Sequence, residues 1–210
     1  MAATTNYRTI YNKLWAGSVN WGSDDIRAAL VTSTYTPNGD TDQFWSTPVA
    51  NEASGTGYTA NGVALASKTS TYTAANSWGT SWAATTAYGS DTTANYVRPT
   101  TGNGFVYRAT GSGTSGASEP TWPTTIGATV VDSGVTWTCI GRGIQALDAA
   151  DPSWTGLTLS FRYLVIYDRT PASDATRPLI CYVDLGAQSL TASNFSATFN
   201  SQGLILIPVA

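Results

Sequence analysis

The chain of 210 residues contains no histidine. That absence removes the commonest general base, the commonest metal ligand and every Ser-His or Cys-His nucleophile arrangement. Lysine is almost missing as well, with only Lys13 and Lys68 present. Ten basic residues against 13 acidic ones give a net charge of -3, with no basic run anywhere. Phosphate backbones are held by clustered Lys and Arg, so nucleic acid is excluded as a partner. The two cysteines, Cys139 and Cys181, form neither a CxxC pair nor a disulfide-rich framework, and both are expected as free, buried thiols. The opening MAATTNYRTIYNKLW lacks the basic start and apolar core of a signal peptide, and no apolar run reaches the length of a membrane span. The expectation is a protein made and kept soluble in a cytoplasm, without a membrane partner. Charge is scarce too: 11% of residues are charged, against roughly 25% in an ordinary globular protein. A surface of hydroxyls, amides and aromatic rings takes their place, and such surfaces meet another protein or a sugar.

What is present reads mainly as β-structure, with 42% hydrophobic residues available for a core. Tyr7, Ile10, Tyr11, Leu14 and Trp15 are spaced by threes and fours, which suits one short helix or a docked arm. RAALVTSTY alternates as a strand does, PNGD supplies a turn, and Asp40 or Thr41 is placed to cap a helical turn over Gln43, Phe44 and Trp45 that Pro48 would stop. Asn61-Gly62 predicts a hairpin around TGYTANGVA. Leu157, Leu159, Phe161, Tyr163, Val165 and Tyr167 occupy every second position of a strong strand whose intervening residues turn apolar toward its end. PLICYVDLG follows as another strand, and LTASNFSATFN and GLILIPV as a last pair. Roughly eight such strands favour a β-sandwich or a jelly-roll-like barrel.

Between residues 77 and 143 the pattern changes to short aromatic strands and dense Gly, Asn and Ser turns. The expected organisation is a host β domain in two halves, 1–76 and 144–210, with a small three-stranded β module inserted at 77–143. The module strands are expected at 96–98, 105–110 and 135–140, with a core supplied by its aromatic rings. The carboxylates Asp148, Asp151, Asp168, Asp174 and Asp184 are the remaining acid-base candidates, but they fall in turn contexts that use Asp to bond local backbone. No calcium-loop pattern occurs, and the glycines of 102–116 precede no helix, so no metal, phosphate loop or cofactor is assigned. No catalytic residue is assigned, and the chain reads as a non-enzyme. The sugar-binding alternative rests on flat rings beside amide and carboxylate groups: Trp78, Tyr88, Asn103, Glu119 and Trp122. Trp122, flanked by Pro120 and Pro123, lies in a segment that must be extended.

The combination WxxxTxY followed by YVRPTTGNGFVYRATGSGTSGASEPTWPTTIGATVVDSGVTW resembles a small carbohydrate-binding-like module recurrent in structural proteins of tailed bacteriophages. The resemblance covers 78–139 and is carried by Trp78, Tyr88, Tyr96, Tyr107, Trp122 and Trp137; Ala94-Asn95 departs from it where a Gly-Asp type turn is commoner. RAALVTSTYTPNGDTDQFW, NEASGTGYTANGVALASKT, LDAADPSWTGLTLSFRYLVIYDRTP and PLICYVDLG are similar to small proteins encoded among phage head and tail genes. The resemblance implies a virion protein, such proteins serving variously in capsid decoration and in tails or fibres. Low charge, few lysines and many aromatics suit a permanent protein contact, so the expectation is a capsid decoration or cement protein on the virion surface. It would dock on the major capsid protein or other virion proteins, project the module outward, and adopt a homotrimer if it follows capsid threefold positions. Trp15, Trp21, Phe44 and Trp45 are the candidate contacts for that docking. The rival is a tail fibre or receptor-binding component that grips host-surface glycans, and a polysaccharide hydrolase is the third class.

Overall fold

The computed structural model describes residues 4–78, 80–89 and 95–209. The fold is all-β, with 44% of residues in strands and 7% in helices. In the first half of the chain lie β1 (Thr4–Asn6), α1 (Thr9–Trp15), β2 (Ile26–Val31), β3 (Val63–Ala64), β4 (Thr69–Ala74), β5 (Ala87–Tyr88) and β6 (Tyr96–Val97). Then follow β7 (Val106–Ala109), β8 (Gly113–Thr114), β9 (Thr129–Asp132) and β10 (Val135–Gly141). The last four are β11 (Gly143–Asp148), β12 (Ser153–Asp168), β13 (Leu179–Ser196) and β14 (Ile205–Val209). The chain divides into two compact units, 1–69 with 148–199 and 70–147 with 200–210.

The first unit is built on a five-stranded antiparallel sheet in the order β1-β13-β12-β2-β3. β12 is its centre because its sequence suits two environments in succession. Up to Phe161 only alternate positions are buried, whereas Tyr163 to Asp168 are buried on both faces, where β2 and β13 flank the strand. Tyr7, Ala29, Val31, Tyr35, Trp45, Tyr163, Val165, Tyr167 and Leu179 form one of its cores. Within it the Trp45 ring stacks on Tyr167 at 4.1 Å and 6°. PLICYVDLG and the first part of LTASNFSATFN, expected as separate strands, are one continuous strand, β13, and LTASNFSATFN does not pair with GLILIPV, which pairs with β11. The strand β13 bends rather than breaks: Gly186 and Ala192 take positive φ values of 69° and 45°, and the β12–β13 register shifts at several points.

Two local expectations are corrected. Asn61 and Gly62 do form a turn, both at positive φ, but Val63 and Ala64 pair with Ala28 and Arg27 of β2 instead of closing a hairpin on the preceding residues. A Cβ on Gly62 would lie 2.0 Å from the Ala28 carbonyl oxygen, so the close approach demands glycine. Residues 41–47 hold turns and a single β-bridge from Phe44 to Pro178 rather than a helix, and Pro48 starts a 3₁₀ turn over Val49–Asn51 instead of stopping one. Asp42 and Asn38 explain the difference. The Asp42 carboxylate accepts the Asn38 backbone N–H, and the Asn38 side-chain oxygen accepts the N–H groups of Asp40 and Thr41.

The second unit carries a four-stranded sheet, β6-β7-β10-β9, with a three-stranded sheet β14-β11-β4 and the small pair β5-β8. The three strands read from its sequence are β6, β7 and β10; β9 adds a fourth through the Ser133-Gly134 turn to β10. The C-terminal strand β14 was expected in the host domain. It belongs here, pairing residue by residue with β11 from Gly143–Val209 to Leu147–Ile205. Leu206 and Ile144 pack with Ala75, Trp78, Tyr96 and Val106, which gives β14 an apolar reason to be in this unit. Cys139 is buried in the second unit and Cys181 in the first, and both are free thiols.

Candidate functional site

The second unit's main core is aromatic: Trp82, Tyr88, Val97, Phe105, Tyr107, Ala109, Val135, Trp137 and Cys139, with Trp122 and Val130 packed against it. Such rings bring polar handles that need partners. Asp132, at the end of β9, satisfies two at once. Its Oδ2 accepts the Trp82 Nε1–H at 2.7 Å and the Trp137 Nε1–H at 3.0 Å, while Oδ1 accepts the Gly116 N–H at 2.8 Å. The carboxylate is buried and faces no cation in these contacts, so three N–H donors stabilise its charge. This residue was not singled out in the sequence, where VVDSGV reads as an ordinary turn. The signal was there: one aspartate among four indoles in a module with almost no other acids.

Around that core the five glycan-contact candidates separate into two groups. Trp78 and Tyr88 are core residues. The Trp78 Nε1–H donates to the Tyr96 carbonyl at 2.9 Å, and the Tyr88 hydroxyl accepts the Ala83 N–H at 3.2 Å beneath the edge of Trp137. Their rings are not available as a platform. Asn103, Glu119 and Trp122, by contrast, line one open cleft of about 450 Å³ together with Pro99, Thr100, Thr101, Pro120, Thr121 and Thr124.

Two loops make the cleft, and one carboxylate ties them together. Glu119 Oε1 accepts the Thr100 N–H at 2.8 Å and the Trp122 Nε1–H at 2.9 Å, and its Oε2 meets the Thr100 hydroxyl. Prolines at 99, 120 and 123 restrict the backbone on both sides, which keeps the loops extended. The far wall is anchored by Tyr107, whose hydroxyl receives the Asn103 Nδ2–H at 2.7 Å and donates to the Pro123 carbonyl at 2.8 Å. The Trp122 ring rests on Tyr107 at 4.3 Å, tilted by 41°, and is only half-buried. Burial pushes the Glu119 carboxyl upward, but the bonds from Thr100 and Trp122 outweigh it, so the group sits below the ordinary carboxylate range. The result is a fixed, ionised acceptor beside a partly open indole and a fringe of threonine hydroxyls. That set can hold polyhydroxylated ligands by hydrogen bonds and ring contact. Among the described residues, Glu119 is the only carboxylate lining the cleft.

In the first unit, the four docking candidates also divide. Trp45 is fully buried, and Trp21 is buried with its Nε1–H donating to the Asp148 carbonyl at 3.2 Å; both close the core and are not available as contacts. Phe44 is half-buried beneath the Lys13 ammonium at 3.9 Å, and Trp15, at the end of α1, is 76% exposed. The late aspartates are structural. Asp151 accepts the Phe199 N–H, Asp168 is buried and accepts the Thr170 N–H, and Asp174 and Asp184 pair with Arg177 and Arg162. Among the described residues, no group of three or more His, Cys, Asp or Glu is disposed to hold a metal ion. Ala94 of the atypical turn lies outside the described residues, and no helix among those described is long and apolar enough to cross a membrane. No protein-family model, curated protein or solved structure matches this chain.

Proposed function

We propose that this chain is a structural protein of a bacteriophage virion surface, a capsid decoration protein whose second unit binds glycan through the cleft of Thr100, Asn103, Glu119 and Trp122. The observation that carries the glycan part is the convergence of Asn103, Glu119 and Trp122 on one open, threonine-fringed cleft, with the carboxylate and indole locked together at 2.9 Å. The virion part is supported by the resemblance of both halves of the chain to phage structural proteins and by a surface poor in charge. A permanent protein contact favours such a surface, since charged side chains are costly to desolvate. Trp15 is the exposed ring in the first unit best suited to that contact. Cementing is then mass action: a protein that binds the assembled lattice and not its dissociated parts raises the lattice's stability.

The test is to add the purified protein to capsids that lack it and image them by electron cryomicroscopy. Regular density on the shell is the expected result. Bare shells, with the protein bound only at tails, would replace decoration by a tail-borne, receptor-binding role.

A further inference from the structure

We infer that the cleft selects uncharged glycans and rejects those bearing carboxylate or phosphate groups, an inference that rests on the glycan-binding reading above. Among the described residues, nine line the cleft and one of these is charged, Glu119. Neither lysine nor arginine lines it. The nearest cation in sequence, Arg98, does not line the cleft but braces one of its loops from behind: its guanidinium donates to the carbonyl oxygens of Trp78, Pro99 and Thr100. An acidic sugar is normally met by Arg or Lys, often as a bidentate pair. Here it would meet a carboxylate instead.

Glu119 cannot easily turn away from such a ligand. The Thr100 N–H, the Thr100 hydroxyl and the Trp122 indole fix both of its oxygens, and releasing them would strand donors. A neutral sugar hydroxyl can donate to the remaining lone pairs, whereas a carboxylate or phosphate brings only acceptors and a like charge. The same geometry provides a clean probe. In Glu119→Gln the side-chain oxygen can keep the bonds from Thr100 N and Trp122 Nε1, and the new NH₂ can donate to the Thr100 hydroxyl oxygen. The shape survives while the charge goes.

The experiment places the full chain on an array of bacterial surface polysaccharides, neutral and acidic. It is repeated by calorimetry with galacto-oligosaccharides and the matching galacturonate oligomers. Neutral glycans are expected to bind, with acidic counterparts at least about fivefold weaker at low salt and the gap narrowing as ionic strength rises. Glu119→Gln, its fold checked by near-ultraviolet circular dichroism, should close most of that gap, read as the ratio of neutral to acidic affinity within the variant itself, whatever its absolute affinity for neutral chains. Acidic glycans bound as tightly as neutral ones would overturn the selectivity and leave glycan binding standing. Silence across the whole array, neutral and acidic alike, would instead remove the glycan-binding reading and this inference with it.

Discussion

Replacing Asp132 by alanine should cost the second unit a large part of its stability. The substitution leaves the indole N–H groups of Trp82 and Trp137 without an acceptor in a core where both rings are buried, and also frees the Gly116 N–H. A buried donor left unsatisfied costs about 1–3 kcal/mol. Two buried indoles and one partly buried amide therefore sum to about 3–9 kcal/mol, against a total stability on the order of 5–15 kcal/mol for a domain. Asparagine keeps one oxygen, and should lose about 1–3 kcal/mol because one side of the arrangement then faces an amide NH₂. Urea denaturation followed by the indole N–H resonances of Trp82 and Trp137 reads both the energy and its location. Coupling is part of the expectation: Trp137→Phe should cost less in the Asp132→Ala background than in the native chain. An Asp132→Ala protein within about 0.5 kcal/mol of wild type, its two indole resonances unmoved, would refute the reasoning.

Other substitutions separate core from surface. Gly62→Ala places a Cβ 2.0 Å from the Ala28 carbonyl oxygen at a φ of 65°, so denaturation should show a loss well beyond the roughly 1 kcal/mol of an ordinary Gly position. Trp45→Ala should destabilise the first unit by about 3–5 kcal/mol, while Trp15→Ala should change stability by less than about 0.5 kcal/mol and weaken shell binding in a capsid co-sedimentation assay. Glu52 is half-buried, and that desolvation raises its pKa above 4.5 although Tyr58 OH and the Asn61 N–H bond to it. A carboxyl raised in the folded state binds more protons there than when unfolded, so its contribution to stability falls as pH climbs from about 4.5 through the raised folded value. Glu52→Gln, which keeps an acceptor oxygen for both donors, should flatten the pH dependence of the melting temperature in that window.

The strands that sequence made legible are those whose burial is local. β12 declares itself because Leu157 to Tyr167 alternate, and the same residues prove to be buried. Pairing partners some sixty residues apart leave no such trace. Nothing in GLILIPV distinguishes a partner at LTASNFS from one at β11, because both leave its apolar residues covered. The helical reading of residues 43–45 failed for a related reason: Asn38 and Asp42 bond to nearby backbone and compete with a helix, an effect visible only once their geometry is known. The aromatic candidates split by the same logic. Trp78, Tyr88 and Trp122 look alike as residue types, and only the partner of each polar handle tells them apart. A backbone carbonyl and a backbone N–H hold the first two inside, while Glu119, in an open loop, holds the third at the cleft. The prolines around Trp122 were the one sequence cue that pointed outward.

Glycan recognition by Glu119 and Trp122 is tested most directly by titrating neutral oligosaccharides into isotope-labelled protein and following individual resonances. The Trp122 indole N–H, the Thr100 amide and the Asn103 side-chain amide should shift together and saturate, while the indole resonances of Trp78, Trp82 and Trp137 stay in place. Saturable shifts centred on another surface, or no shift at Trp122 with any oligosaccharide, would contradict the assignment of the cleft.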